Sequence, residues 1–468
     1  MRRNLKSLIP LILLAACEVG PDYRSPKINM PVLNAQEDIA EFITQKWWSV
    51  FSDTTLNSLE EQALKYNVDL KQAIAHVDIA RAEAGEVFAN LVPSISMSGE
   101  ATESFKSKRG SKYIPIEGAK RSTTYYSADS SISYELDFFG KYRRANEAAQ
   151  ALLLSTRAAK ESVLLAVTSE VAKTYFLLRA LDAKLAIARR TLQTRQETCR
   201  VYKSRLKNGY CTEFDYLRVE SGMSLVNITV LDLEMAIAKA ENAMSILVGT
   251  SPREMIGRKT AKNQAIEKIR IPLRIPKGIP SDILARRPDI LQAEGQLIAA
   301  NAQIGIARAS YFPSISLTGM FGFESNSLSR LFNKGSDTWA FNQGISLPIF
   351  AGGRISSMNK AAEANYKRVL ANYEKSIQNA FRETLDALVS NRKNREIVIC
   401  ETRRVEALKR GYFLARKQKE AGLIGLIDLL DVERELLSAE MALVGALQNQ
   451  LTSVVDLCKA LGGGWKKN

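Results

Sequence analysis

Apolar residues along this 468-residue chain follow two different periods. From Leu56 they fall at Leu56, Leu59, Ala63, Leu64, Leu70, Ala73 and Ile74, a spacing that predicts helix to about residue 90. Strict alternation then takes over. Ile95, Met97, Ala101 and Phe105 are separated by Ser94, Ser96, Ser98, Glu100 and Thr102. Tyr126, Ala128, Ile132, Tyr134, Leu136 and Phe138 stand opposite Ser127, Asp129, Ser131, Ser133, Glu135 and Asp137. Because side chains along a strand point alternately to opposite faces, each run is a strand with one apolar and one polar face. The hydrophilic stretch 106–122 joins them as a loop, which gives a β-hairpin over about 93–138. A helical reading follows over 141–207 without Pro or Gly, and a second helix returns to about residue 247.

The second half of the chain repeats this order. Pro93-Ser94-Ile95-Ser96 recurs as Pro313-Ser314-Ile315-Ser316. Ile315, Leu317, Phe321 and Phe323, then Trp339, Phe341, Ile345 and Leu347, alternate with polar or small residues, predicting a hairpin over about 313–349 with a loop near 327–337. Helical readings cover about 354–420 and on to 461. The turns between the long helices match in register: Asn208 to Glu220 reads NGYCTEFDYLRVE, and Ala421 to Glu433, 213 positions later, reads AGLIGLIDLLDVE. Gly209 and Gly422 stop one helix before the next begins, since glycine tolerates the left-handed conformation of a helix C-cap. Each strand is long enough to cross a bilayer when tilted, and its aromatics lie near the ends. A helix of roughly 65 residues would extend about 100 Å, a length that argues for coiled-coil packing of antiparallel helices. Residues 56–249 and 283–468 are thus two copies of one unit. A tether over 17–55 and a Pro-rich connector over 250–282 complete the chain.

Composition adjusts this picture only in part. With 46% hydrophobic and 25% charged residues the chain has ample core. The net charge of +15 could mark a nucleic-acid partner, but Lys and Arg are spread among Asp and Glu along the predicted helices, so no such partner is expected. Arg2, Arg3 and Lys6 precede an apolar run from Leu8 to Leu14 and the sequence Leu14-Ala15-Ala16-Cys17, the layout of a secretory leader over residues 1–16. The stretch resembles a bacterial lipoprotein signal, which implies lipid on Cys17, and Glu18 after it favours the outer membrane. Cys199, Cys211, Cys400 and Cys458 lack metal-ligand spacing and read as free or buried thiols. No apolar run of about eighteen residues follows the leader, so no transmembrane helix is expected.

Four spanning strands cannot close a membrane barrel. Single-chain barrels start at about eight, and open edges are not tolerated in lipid. Copies of the chain must therefore combine. Two would give a barrel filled by its own side chains; three would give twelve strands and room for an aqueous lumen, with twelve long helices beneath. Against that background, Cys17 to Tyr23 (CEVGPDY), Trp47-Trp48 with Phe51 and Asp53, and Leu284 to Pro313 (LARRPDILQAEGQLIAANAQIGIARASYFP) together resemble the TolC-type outer-membrane efflux factors of the lipoprotein subfamily, the exit ducts of resistance-nodulation-division tripartite pumps. The resemblance implies a mixed, mainly α fold: a homotrimer with a 12-stranded transmembrane β-barrel continued by a 12-helix periplasmic α-barrel. It implies a periplasmic adaptor (membrane fusion protein), an inner-membrane pump and outer-membrane lipid as partners, and no cofactor besides the lipid.

The same resemblance assigns roles at the turns. Gate aspartates of that family stand six and nine residues after the turn glycine, which selects Asp428 and Asp431; Asp215, six after Gly209, is the first-repeat counterpart. In a trimer these carboxylates would form stacked rings that repel anions and draw cations. An Asp at a helix N-terminus also serves as a cap, so both readings stand. Arg205, Gly209, Gly422, Lys417 and Lys419 are the expected adaptor contacts. Gln418 replaces the second-repeat arginine of that pattern, and Ile424 sits where some members carry a gate arginine.

Catalysis has little to stand on. His76 is the only histidine and has no partnered nucleophile, and no acid/base pair lies in a predicted pocket. The expectation is a passive efflux duct, with a type I protein-secretion channel of the same fold as the alternative and a pore-less coiled-coil lipoprotein as a third reading that leaves the strands unexplained.

Overall fold

We describe a computed structural model of the chain over residues 18–26, 46–107, 109, 121–250, 266–271 and 286–463. The leader, Cys17 and most of the connector lie outside the described residues. The chain divides into two units. The described residues of the first come from Met1–Lys27, Val77–Thr156 and Ala293–Tyr373; those of the second come from Ile28–His76, Arg157–Gln292 and Glu374–Asn468.

Alternation becomes a sheet in the first unit. Strands β1 (Ser94–Phe105), β2 (Ser122–Leu136), β3 (Ser314–Ser325) and β4 (Asp337–Ser346) pair antiparallel in the order β1-β2-β3-β4. The register puts Ile95 opposite Ile132, Ile132 opposite Gly319 and Gly319 opposite Phe341, so the apolar positions of all four strands share one face. Ser94, Ser133, Thr318 and Asn342 form the equivalent row on the other face. A slip of one residue in either hairpin would mix the two faces. Ile95, Met97, Trp339, Phe341 and Ile345 are exposed, and both β1 and β4 leave one edge unpaired among the described residues. The predicted loop after β3 contains a short 3-10 turn, Leu328–Arg330.

Seven α-helices are described: α1 (Thr54–Tyr66), α2 (Val68–Ala89), α3 (Lys141–Lys207), α4 (Glu213–Leu247), α5 (Pro288–Ala309), α6 (Arg354–Glu420) and α7 (Leu426–Ala460). The helical stretch expected from Leu56 to about residue 90 forms as two helices. Asn67 divides them, because its side-chain oxygen accepts from Leu70 N at 3.0 Å while its amide donates to Leu247 O at 2.9 Å, which favours a cap over continued helix. Residues 46–55 are not tether either. Trp47, Trp48 and Phe51 are almost fully buried in the core of the second unit, with Phe51 edge-on to Phe176. Asp53 caps α1 and accepts the Tyr175 hydroxyl at 2.7 Å. The described part of the connector also joins this core, through Ile266 and Ile269.

In the first unit, residues 18–26 are pinned to the body. Arg144, 4% exposed, pairs with Glu18, Asp22 and Glu147 at 3.2, 2.7 and 2.7 Å. Asn301 donates to Pro21 O, and Gly20 lies so close to Gly305 that a Cβ on either would collide. The Ala/Gly-rich α5 meets α3 equally closely, at Gly295 beside Ala151 O. In the second unit the Arg-Arg-Pro-Asp stretch acts as a C-terminal fastener. Buried Arg287 pairs with Asp289 and Glu383 and donates to Ala460 O at the end of α7.

Candidate functional site

The two interhelical turns lie in the second unit and are built alike. Gly209 and Gly422 have φ of +71° and +74°. Tyr210 N donates to Arg205 O at 2.8 Å and Leu423 N to Gln418 O at 2.9 Å, the long-range bond of a glycine-terminated helix. Open space surrounds both glycines, so they are required for backbone conformation and leave the turns accessible. Arg205 is exposed and its guanidinium lies over the Tyr202 ring at 5.4 Å. Lys417 and Gln418 are exposed and Lys419 is half-buried.

The three aspartates differ in what they do. Asp215 closes a capping box: its carboxylate accepts from Thr212 N and from the Thr212 hydroxyl, which in turn accepts from Asp215 N. Asp428 accepts from Gly425 N at 3.0 Å in the same position of α7. Both thereby start their helices, and Asp428 also keeps an exposed carboxylate. Asp431 is exposed and pairs with Arg434 on its own helix at 3.4 Å, a surface contact worth little. Of the predicted set, Asp428 and Asp431 are thus presented together on α7, while Asp215 belongs to the neighbouring hairpin.

Beneath the turns the two hairpins are joined by residues that the motif reading passed over. Cys199, Tyr202 and Val219 of the first hairpin form a cluster with Leu426 and Leu430 of α7. Arg195, 6% exposed, reaches Glu433 at 2.8 Å and donates to Leu430 O at 3.1 Å. Burial pushes the Glu433 carboxyl above its ordinary value, against the pull of Arg195. Further along, Arg190 and Lys409 converge on Glu440, and Lys173 pairs with Asp456. The one available signal for Glu433 was its place at the end of the repeated Val-Glu, shared with Val219-Glu220.

One four-stranded sheet built from two copies of a β-hairpin, with an apolar face suited to lipid and a long helical hairpin after each copy in the chain, defines a channel subunit. The outer membrane efflux protein family model matches residues 59–250 and 279–463, and the chain belongs to this family. It is 33% identical over 479 aligned positions to the probable efflux pump outer membrane protein TtgC of Pseudomonas putida, covering 99% of this chain and 96% of that protein. It is 31% identical to the cation efflux system protein CusC of Escherichia coli, over 97% of each. Among solved structures, the CmeC outer membrane channel of Campylobacter jejuni matches with a TM-score of 0.89 at 27% identity over 96% of each chain, and CusC with 0.84 at 30% over 96% of this chain and all of its own. The protein is an outer-membrane efflux channel.

Proposed function

We propose that three copies of the chain form a passive exit duct for small toxic compounds or metal ions, anchored by lipid on Cys17, opened at its helical turns by a periplasmic adaptor and driven by an inner-membrane pump. One observation carries the assembly: a four-stranded sheet with its apolar side chains on one face and two unpaired edges, which lipid forbids unless neighbours complete the ring. The helices support it. Contacts within the second unit order them α4, α3, α7, α6, leaving α4 and α6 at the margins. Contrary to the expectation from the sequence, α4 is long and apolar enough to cross a membrane, since Asp232 and Glu234 only interrupt its apolar residues; 11% of its apolar stretch is buried. Phe214, Leu217, Leu225, Ile228, Leu231 and Met235 are exposed along it. With Asp215, Glu213, Glu220, Asp232 and Glu234 on the same helix, a neighbour's α6 is its better cover than lipid. Efflux relatives named for toluene, an antibiotic and cations favour small cargo over secreted protein.

At the mouth, Asp428 and Asp431 from three chains form two acidic rings that pass cations and retard anions, and Arg205, Gly209, Gly422, Lys417 and Lys419 meet the adaptor. Asp431 gives the cleaner test, because Asp428→Ala also removes a cap, costing about 1 kcal/mol. Purified protein is expected to run as a heat-modifiable trimer and to conduct in planar bilayers, with Asp431→Ala raising conductance and lowering cation selectivity. Monomeric, non-conducting protein would sink the duct, and unchanged selectivity would sink the ring.

A further inference from the structure

Charge is segregated along the two β-hairpins. Strands β1 to β4 contain no Lys or Arg, and the charges they do carry are acidic, among them Glu100, Asp129, Glu135 and Glu324. All eight Lys and Arg of residues 93–138 and 313–349 stand between the strands instead, six between β1 and β2 and two, Arg330 and Lys334, between β3 and β4, against a single carboxylate, Glu117. The helices α2, α3, α5 and α6 all join the sheet at its opposite end, so in the duct reading the basic tips face outside the cell.

The apolar face shows where the tips stand relative to lipid. Ile95 and Phe105 are ten positions apart on it, about 33 Å of strand, or roughly 25 Å of height at the tilt of a barrel strand, which is the depth of an outer-membrane apolar band. Phe105 thus ends the lipid-facing row, and cations follow it. The Arg121 guanidinium lies over the exposed Phe105 ring at 4.2 Å while its Nε donates to Lys106 O at 3.1 Å, which fixes a cation just above the apolar band. On the second hairpin the Ser336 hydroxyl and Asn333 N both donate to Arg330 O, at 2.8 and 3.0 Å. This turn holds Arg330 and Lys334 beside the exposed Leu328 and Phe332, and Phe332 packs edge-on to Phe323 of β3. Lys106 and Arg109 are exposed too, and among the described residues none of these five cations pairs with a carboxylate.

We infer that the tips of both hairpins bind the phosphates of the bis-phosphorylated glucosamine lipid of the outer leaflet, through Lys106, Arg109 and Arg121 on one tip and Arg330 and Lys334 on the other. This rests on the outer-membrane duct reading. The occupant follows from chemistry. Cations set at the rim of an apolar band, with exposed apolar side chains next to them, suit a ligand that carries phosphate directly above acyl chains; a free anion has no use for Phe105 or Phe332. A glycerophospholipid offers a single phosphodiester, whereas this lipid offers a pair of phosphates on one rigid sugar unit, which several Lys and Arg donors can hold together by charge-assisted bonds. The protein thereby takes the place of the divalent cations that otherwise bridge such headgroups, and the barrel keeps a fixed depth in the leaflet.

The full lipidated protein, purified as a heat-stable trimer and treated with EDTA, is mixed with bis-phosphorylated lipid A, with its dephosphorylated form or with phosphatidylglycerol, and the retained lipid is counted by native mass spectrometry. Wild type is expected to retain several-fold more lipid A than either other lipid. Combining Lys106→Gln, Arg109→Gln, Arg330→Gln and Lys334→Gln should lower that retention several-fold, and Arg121→Gln should lower it further. The fourfold variant keeps the Arg121 to Phe105 contact, so it serves if R121Q fails to assemble. In intact cells Arg109→Cys should react with a maleimide polymer too large for porins. Equal retention of the dephosphorylated lipid or of phosphatidylglycerol overturns the inference. So does failure of R109C to react, or undiminished lipid A on the fourfold variant, the result expected if these cations serve a protein outside the cell. Conduction by the wild-type trimer in planar bilayers keeps the duct reading in any of these cases; a wild-type protein that does not conduct removes both.

Discussion

Glu60 is completely buried on α1, and neither of its carboxyl oxygens has a hydrogen-bond partner among the described residues. Burial raises its pKa from 4.5 to about 9, so the folded protein holds a proton there that the unfolded chain releases. A group of this kind stabilises fully below the unfolded pKa and loses that contribution as pH rises through the folded one, so stability should fall between about pH 4.5 and pH 9. Glu60→Gln keeps the shape and removes the titration. Thermal unfolding should show the variant more stable than wild type at pH 8, by an amount that shrinks toward pH 5. A gap that does not vary with pH would mean that the carboxyl keeps its ordinary pKa in the folded protein. The aspartates of the turns make a related point. Asp215 and Asp428 are bound to backbone amides of their own helices, so the same residue type that could line a pore also fixes where the helix begins, and spacing from the glycine reports both roles at once.

At the scale of elements, helix ends were harder to locate than helices. The 67-residue α3 and α6 end at Lys207 and Glu420, each set by a glycine that follows, because only a residue tolerant of positive φ completes that turn. Asn67 had no such mark: an asparagine in a helical pattern becomes a break only when a distant carbonyl, here Leu247 O, is there to receive its amide. Gly422→Ala should strain the second turn by about 1 kcal/mol. Since the site is open, the loss should appear as faster amide exchange across 417–430 with unchanged global melting. A fall in global melting would show that the turn is coupled to the core.

For the whole molecule, residues 18–26, which follow the proposed lipid site at Cys17, are held to the body of the first unit. The ion pairs of Arg144 with Glu18 and Asp22, together with the Gly20 to Gly305 contact, fasten residues 18–26 by protein contacts. Cys17→Ser is therefore expected to abolish palmitate incorporation while leaving the bond after Arg24 resistant to trypsin, whereas Arg144→Gln should expose that bond and leave the lipid in place. Trypsin cleavage in the Cys17→Ser protein would show that lipid holds the segment.

The chain's periodicity alone determined two repeats, strands with one apolar face, long helices and glycine-terminated turns, because those features depend on neighbours a few residues apart. The resemblance to the TolC-type family, carried onto the spacing after Gly209 and Gly422, made Asp215, Asp428 and Asp431 the gate candidates. Tertiary structure decided the rest. It drew Trp47 and Trp48 from an apparent tether into the core, set the register that gives four strands one face, and brought Arg195 to Glu433 across 238 positions of sequence. Such pairings depend on which helices lie side by side, and no local pattern along the chain marks them.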